Sequence, residues 1–368
     1  GEDVCGLLQL AHSYDLGEMY GDNYGYRSGL NPSMVKHLHS KVEKIRGLID
    51  LSTNDLVVDI GSNDSTTLQA YPPDSCRLVG IDPTGTKFRQ YYPSHIQLIS
   101  EFFSLAGFHE VFGTNQKVKV ITSFSMFYDL EDPMEFMRNV HELLDKEGVW
   151  VFEQSYMPTM LKQNAFDTVC HEHLEYYGLQ QIKWMADRVG LRIIDVEFNE
   201  INGGSFSVVA AHNKSSYPIF SELEKLLKDE VQNDLGELSP YIEFSKRVSL
   251  LRTELVDLFD CSIKEGKRFA ALGASTKGNV LLQYCGITPN LLECIGEIND
   301  EKIGGFTPGT LIPIVAEEEV LKGGFDYVLV LPWHFRPFFL KQQKYDNLPM
   351  VFPLPKLEIV NRSTLKNG

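Results

Sequence analysis

No apolar run in the sequence approaches the ~20 residues that a membrane-crossing helix needs, and basic residues are scarce beside acidic ones, 34 Lys and Arg against 50 Asp and Glu. The first absence argues against a membrane partner. The second leaves a formal charge of −16 and argues against nucleic acid, because phosphate backbones are bound by clustered Lys and Arg. The six cysteines show no C-x-x-C spacing, so neither a disulfide framework nor a complete zinc site is visible, and a reducing, cytoplasmic setting is expected. No signal-peptide pattern opens the chain. Also missing are G-x-G-x-x-G, a Walker sequence and H-E-x-x-H, which removes the direct signatures of dinucleotide, nucleoside triphosphate and zinc-protease chemistry. Asn361-Arg362-Ser363 matches a glycosylation acceptor and is read as chance.

What is present is a chain of 368 residues, 43% hydrophobic, long enough for about two or three domains. The pattern divides it into four segments. Residues 1–48 form an N-terminal arm and helix, 49–215 a doubly wound α/β domain, 216–265 linking helices, and 266–368 a second, smaller α/β domain. In the arm, Tyr14, Tyr20, Tyr24 and Tyr26 fall among glycines; such tyrosines either offer hydroxyls to a ligand or pack over a core. Asn31-Pro32 starts a helix, and Met34, Leu38, Val42 and Ile45 recur at helical spacing.

The first long α/β stretch begins with Leu56-Val57-Val58-Asp59-Ile60-Gly61-Ser62-Asn63-Asp64, a buried parallel strand running into a turn where Gly61 lets the backbone approach a ligand. A second run ends at Asp82-Pro83, where an acid can accept hydrogen bonds from ribose hydroxyls. Without the dense glycine turn that a pyrophosphate needs, the pair fits S-adenosylmethionine (SAM) better than NAD: SAM has no phosphate and carries an ammonium and a sulfonium that carboxylates attract. Strands follow at 96–100, 118–122 and 149–153, with an antiparallel pair expected at 191–196 and 205–211. Ligands bind at the carboxyl ends of such strands, so Asp59, Gly61, Asn63, Asp64, Asp82, Pro83, Phe102, Phe103, Ser123 and Ser125 are the candidate cofactor residues, with Glu153 beside the same cleft. Val248, Leu251, Leu255 and Leu258 mark a linking helix. Beyond it, Gly273-Ala274-Ser275-Thr276-Lys277-Gly278-Asn279 is a strand-to-helix loop with hydroxyls and a cation suited to an anion.

His171-Glu172-His173 is the densest polar cluster, flanked by Asp167, Cys170, Glu175, Tyr176 and Tyr177. On a strand, H-x-H places two imidazoles on one face, with Cys170 as a third metal ligand. In an acid/base site, one histidine takes a proton while Glu172 orients it. The residues alone leave both open.

Taken together and in order, Cys5-Gly6-Leu7-Leu8-Gln9-Leu10, Tyr24 to Asn31, Asp59 to Asp64, Phe166 to Leu174, Asn202-Gly203-Gly204-Ser205, Gly273 to Asn279, Pro308-Gly309 and Leu331-Pro332-Trp333 resemble the SAM-dependent sugar C-methyltransferases of deoxysugar biosynthesis. The resemblance spans nearly the whole chain. It implies methylation at C3 of a nucleotide-linked 4-keto sugar. It also implies His173 as the base, Glu172 as its partner, and His171 and Tyr26 in the same pocket. Tyr24, Asn202, Gly203, Ser205, Ser275, Thr276, Lys277 and Asn279 would hold the substrate, the last four at the nucleotide diphosphate. The chain departs from that family at Cys170, where a tyrosine often precedes His-Glu-His, and at Tyr128, where a histidine is common. Only Cys5 of the family's N-terminal zinc knuckle is present, with Glu2 where its C-x-x-C partner would stand, which weighs against zinc. An O- or N-methyltransferase on another small molecule and a non-catalytic binder are the competing readings.

Overall fold

The computed structural model describes residues 6–20 and 24–361; Glu2, Cys5, Arg362 and Ser363 lie outside them. The chain forms two compact units. The first comprises Gly1–Tyr156, His171–Asn199 and Ser205–Gln232, the second Met157–Cys170, Glu200–Gly204 and Asn233–Gly368. The short segments 157–170 and 200–204 therefore cluster with the C-terminal residues although both lie within 49–215.

The first unit is built on seven strands: β1 (Leu56–Ile60), β2 (Arg77–Ile81), β3 (Ile96–Ile99), β4 (Val118–Phe124), β5 (Leu144–Ser155), β6 (Leu191–Asn199) and β7 (Ser205–His212). Their spatial order is β3-β2-β1-β4-β5-β7-β6. The first five are parallel, and β7 runs antiparallel to both β5 and β6. β1 is buried along its whole length because both faces are covered. Leu56, Val58 and Ile60 join one core with Phe136, Met137 and Val140, while Val57 joins the other with Val42 and Ile45.

Helix α1 (Pro32–Leu48) supplies those last two residues. Its start follows from the sequence: the Asn31 side chain accepts from the Ser33 N–H at 3.0 Å and proline takes the first turn. Helix α2 (Pro133–Leu143) begins the same way, with Asp132 accepting from the Glu135 N–H at 2.7 Å. Helix α3 (Leu179–Val189) ends at Gly190 in the left-handed conformation. At its start, Glu230 accepts from the N–H groups of Leu179 and Gln180 at 2.6 and 2.9 Å, so a buried carboxylate meets the positive end of the helix. A two-residue antiparallel pairing of Leu8–Gln9 with Glu175–Tyr176 ties the N-terminal arm to the segment after His-Glu-His.

The second unit carries six strands: β8 (Phe269–Leu272), β9 (Ile295–Glu297), β10 (Ile314–Ala316), β11 (Tyr327–Val330), β12 (Met350–Phe352) and β13 (Glu358–Val360). Their order is β10-β9-β8-β11-β12-β13, parallel except for β13. β10 and β13, three residues each, escape a reading by pattern because so short a run has no measurable period. Helix α4 (Ser239–Lys264) buries Val248, Leu251, Leu255 and Phe259. Phe259, not the expected Leu258, continues the apolar stripe, and its ring lies 4.3 Å from that of Phe269. Helix α5 (Thr276–Cys285) follows β8.

Candidate functional sites in the two units

At the carboxyl ends of β1 and β2, the structure gathers Asp59, Gly61, Asn63, Asp64, Asp82 and Pro83. Gly61 sits at φ +75°, where a Cβ would also crowd Met126. The chain stays left-handed at Asn63 (φ +49°) and Ser65 (φ +62°), so the turn Ser62–Ser65 is wound tightly without the glycines of a dinucleotide loop. Hydrogen bonds hold it. The Asn63 N–H donates to Asp82 Oδ2 at 2.7 Å, Tyr92 Oη donates to the Asn63 carbonyl at 2.8 Å, and the Thr84 N–H donates to Asp82 Oδ1 at 2.7 Å.

Asp59 is 2% exposed and accepts from the Thr122 hydroxyl at 2.6 Å. Burial pushes its carboxyl up to about 7, against the pull of hydrogen bonds from Thr122 and Thr67. Phe102 is 47% exposed, and its ring meets the edge of Tyr20. Phe103 turns inward, edge-on to Phe136 at 5.3 Å. Ser123 is buried and accepts from the Trp150 indole N–H at 3.0 Å. Ser125, at φ +55°, donates its N–H to the Glu153 carbonyl at 2.7 Å. The Glu153 carboxylate, expected beside the cleft, is occupied elsewhere: it contacts His37 Nε2 at 2.6 Å and Lys41 Nζ at 2.9 Å, both on α1, and accepts from Asn199 at 2.8 Å.

Residues 171–174 form no strand, so H-x-H does not present two imidazoles on one pleated face. The two histidines differ instead. His171 is exposed and lies edge-on to Tyr14 at 6.1 Å, whereas His173 is 9% exposed and its ring lies 4.2 Å from that of Tyr128. The Leu174 N–H donates to the Tyr128 carbonyl at 2.9 Å, and Tyr14 Oη to the Glu172 carbonyl at 3.1 Å. The loop after β4 and the N-terminal arm thus fix the His-Glu-His backbone from two sides.

Sequence reasoning missed Asp129 here. Its carboxylate accepts from Tyr20 Oη at 3.0 Å, and burial, with Glu172 and Glu175 nearby, pushes it well above the usual carboxylate range. Glu175 is pushed up to about 8, first by burial and then by Asp132 and Glu131. Burial likewise raises Tyr24, assisted by Glu172 and Asp129. Tyr26 is 51% exposed. The only signal for Asp129 was its position just beyond the end of β4.

The chemistry of this group suits a cation. Asp82 presents a carboxylate at the turn, and a sulfonium with an ammonium is attracted there where a pyrophosphate is repelled. Asp82 and the turn at Gly61 would face the ribose and amino-acid parts of SAM.

The second unit has a polar centre of its own. Lys277 Nζ donates to the Asn202 carbonyl at 2.6 Å, in the loop where Asn202 and Gly203 both have positive φ. The Trp333 indole N–H donates to Asp167 Oδ2 at 2.7 Å. Burial raises Asp167, with Lys277 and Trp333 opposing it, and burial lowers Lys277. His334 is pushed down to about 3 by burial and by Lys277. Ser275 caps α5, accepting from the Gly278 N–H at 3.1 Å, with Thr276 at the first helical position. Asn279 Oδ1 is buried with no partner among the described residues. Ser205 belongs to the first unit, paired with Ser155 at the start of β7. The pairing of Asp167 with Trp333, 166 residues apart in sequence, carried no local signal.

Sheet order and the turn after β1 define a Rossmann-like α/β unit. Residues 35–196 match the family described as "Methyltransferase domain" and residues 200–355 the one described as "C-methyltransferase C-terminal domain". The C-methyltransferase NovU of Streptomyces niveus is 27% identical over 98% of this chain and 87% of its own length. Among solved structures, the N-methyltransferase NodS of Bradyrhizobium japonicum, in complex with S-adenosyl-L-homocysteine, is similar over 54% of this chain and 97% of its own at 16% identity and a TM-score of 0.39. A SAM-dependent methyltransferase of Clostridium acetobutylicum covers 48% of this chain and 92% of its own at 13% identity and a TM-score of 0.37. These matches make the chain a SAM-dependent methyltransferase whose C-terminal part is similar to C-methyltransferases.

Proposed function

We propose that the protein transfers a methyl group from SAM to C3 of a nucleotide-linked 4-keto deoxysugar, with His173 as the base. The first unit binds the methyl donor, and the second, through Ser275, Thr276, Lys277 and Asn279, binds the nucleotide diphosphate. The observation that carries this reading is the setting of His173: a nearly buried imidazole, packed against the ring of Tyr128 and followed by a backbone N–H bonded to the same tyrosine's carbonyl.

A ketone at C4 acidifies the hydrogen on C3. His173 takes that proton, and the electron pair delocalises onto the C4 oxygen as an enolate. Glu172, adjacent in the chain, balances the imidazolium that results. SAM supplies an electrophilic methyl that the enolate carbon attacks in line with the departing sulfur. A positioned base contributes roughly 10²- to 10⁴-fold in rate, and alignment of the two reacting carbons supplies much of the rest. Tyr26 and Tyr24 line the acceptor side, and His171 the pocket's rim.

Two measurements test the reading: methyl transfer from labelled SAM to a panel of nucleotide 4-keto sugars, and solvent deuterium exchange at C3 without SAM. His173→Asn is expected to lose both. Transfer to an oxygen or nitrogen acceptor without C3 exchange would instead identify an O- or N-methyltransferase, and full activity in His173→Asn would remove the assigned base.

A further inference from the structure

Asn63 and Asp64 stand just past Gly61, where both were expected to face the methyl donor, yet their side chains are spent on the N-terminal arm. Asp64 Oδ2 accepts from the Gly29 N–H at 2.9 Å, while Oδ1 accepts from the Thr66 N–H at 3.3 Å and hydroxyl at 2.5 Å. Asn63 is used twice: Oδ1 accepts from the Ser28 N–H at 3.0 Å, and Nδ2 donates to the Tyr26 carbonyl at 3.1 Å. Two consecutive side chains therefore hold the backbone of 26–29 at three points.

Further contacts fasten the same arm. Lys87 Nζ donates to the Tyr24 carbonyl at 2.8 Å, the Arg27 guanidinium lies 4.2 Å from the centre of the Tyr91 ring, and Arg27 Nε is 4.0 Å from Asp64 Oδ2. The approach at Gly29 is so close that a Cβ there would sit 2.6 Å from Asp64 Oδ2. The arm carries Tyr24 and Tyr26, the tyrosines assigned to the acceptor side.

We propose that Asn63 and Asp64 are positioning residues that couple the cofactor turn to this arm, so that binding of the methyl donor orders the segment bearing Tyr24 and Tyr26. The inference rests on the reading of the turn as the cofactor site. The coupling follows from how Asn63 is held. Its backbone is left-handed, and its N–H is bonded to Asp82 Oδ2 at 2.7 Å, so a ligand engaging Asp82 or Gly61 selects one conformation of the turn. That conformation aims the Asn63 amide and the Asp64 carboxylate at the arm. By linkage, an ordered arm raises the affinity of the turn for its ligand in equal measure.

The test is amide hydrogen exchange on the full chain with and without S-adenosylhomocysteine, compared with that ligand's affinity by calorimetry. In the unmodified protein the ligand is expected to slow exchange both in 59–64 and in 24–31. Asp64→Ala is expected to speed basal exchange in 24–31 by about five- to ten-fold, the equivalent of one lost hydrogen bond, and to abolish the ligand's effect there. Slowing in 59–64 is retained. Gly29→Ala breaks the same bond from the arm side without changing a residue of the turn, and the same result is expected from it, with a loss of ligand affinity equal to the ligand's lost effect on arm exchange.

Retained ligand-dependent slowing in 24–31 in both variants would overturn the proposal. So would a loss of affinity above about ten-fold in Asp64→Ala with arm exchange unchanged, since Asp64 would then be a direct ligand. If the ligand slowed neither 59–64 nor 80–84 in the unmodified protein, the cofactor reading itself would fall, and with it the coupling.

Discussion

Tyr20 donates its phenolic hydrogen to Asp129 Oδ2 at 3.0 Å, while the other carboxylate oxygen, Oδ1, is buried with no partner among the described residues. The phenol comes from the N-terminal arm and the acid from the turn after β4, so one hydrogen bond joins segments 109 residues apart. Removing the phenol strands a buried acid. Tyr20→Phe is expected to cost about 1–3 kcal/mol in urea unfolding at pH 7. Asp129→Asn, which removes the titrating group and keeps an acceptor for Tyr20, is expected to cost less. A neutral outcome for Tyr20→Phe would show that Asp129 gains little from the bond.

The buried acids also set a slope of stability against pH. Asp59 is raised to about 7 and Glu175 to about 8, each chiefly by burial, so between an unfolded carboxyl near 4 and those values the native state holds protons that the unfolded chain has released. Their contribution is fully present below about pH 4 and is lost as the pH rises through about 7 for Asp59 and about 8 for Glu175. Urea unfolding from about pH 5 to 9 is expected to show Asp59→Asn gaining on the unmodified protein as the pH rises, up to the order of a few kcal/mol. Parallel curves would mean that Asp59 titrates normally.

Much of this was legible in the residues and some could not have been. β1 announced itself because a strand covered on both faces is apolar at nearly every position, and α1 because Asn31, Pro32 and a stripe at 38, 42 and 45 agree. Phe103 and Ser123 illustrate the limit. A strand-end position predicts nearness to the sheet's carboxyl edge but not the direction of a side chain, and Phe103 turns toward Phe136 while Ser123 turns toward Trp150. Asp64 shows a second limit: it accepts from the backbone N–H of Gly29, and a backbone donor leaves no signature in sequence. The acids at 129 and 175 needed the fold, because burial and not residue type shifts them.

Glu153 tests the other sign. Burial alone would raise it, but His37 and Lys41 hold it below the usual carboxylate range. Its contribution is therefore present above the unfolded carboxyl pKa and is lost as the pH falls through the native one. Lys41 is 3% exposed and bridges Glu153 at 2.9 Å and Glu197 at 3.0 Å. Lys41→Met removes the ammonium beside Glu153 and leaves it only the hydrogen bonds from His37 and Asn199, and a loss of about 3–5 kcal/mol is expected at pH 7. The double variant Lys41→Met with Glu153→Gln is expected to recover a large part of it, because the cost lies in the uncompensated charge. No recovery would place the loss in packing of the lysine stem instead.

In the second unit, Lys277 and Asp167 make the corresponding case at a candidate substrate site. Asp167 is raised by burial while Lys277 and the Trp333 indole N–H pull it back down. A group raised in this way contributes stability that is complete below its unfolded pKa and fades as the pH climbs through its native one. Lys277→Met preserves the stem and deletes the charge, so the native pKa of Asp167 rises further and the fading extends to higher pH. The deficit of Lys277→Met relative to the unmodified protein is expected to widen from about pH 5 to pH 8 in urea unfolding, and Asp167→Asn in the same background is expected to flatten that difference. Binding separates structure from recognition: if Lys277 serves the diphosphate, calorimetric affinity for nucleoside diphosphates falls in Lys277→Met and stays low when Asp167→Asn restores stability. Recovery of both together would assign Lys277 to the fold alone.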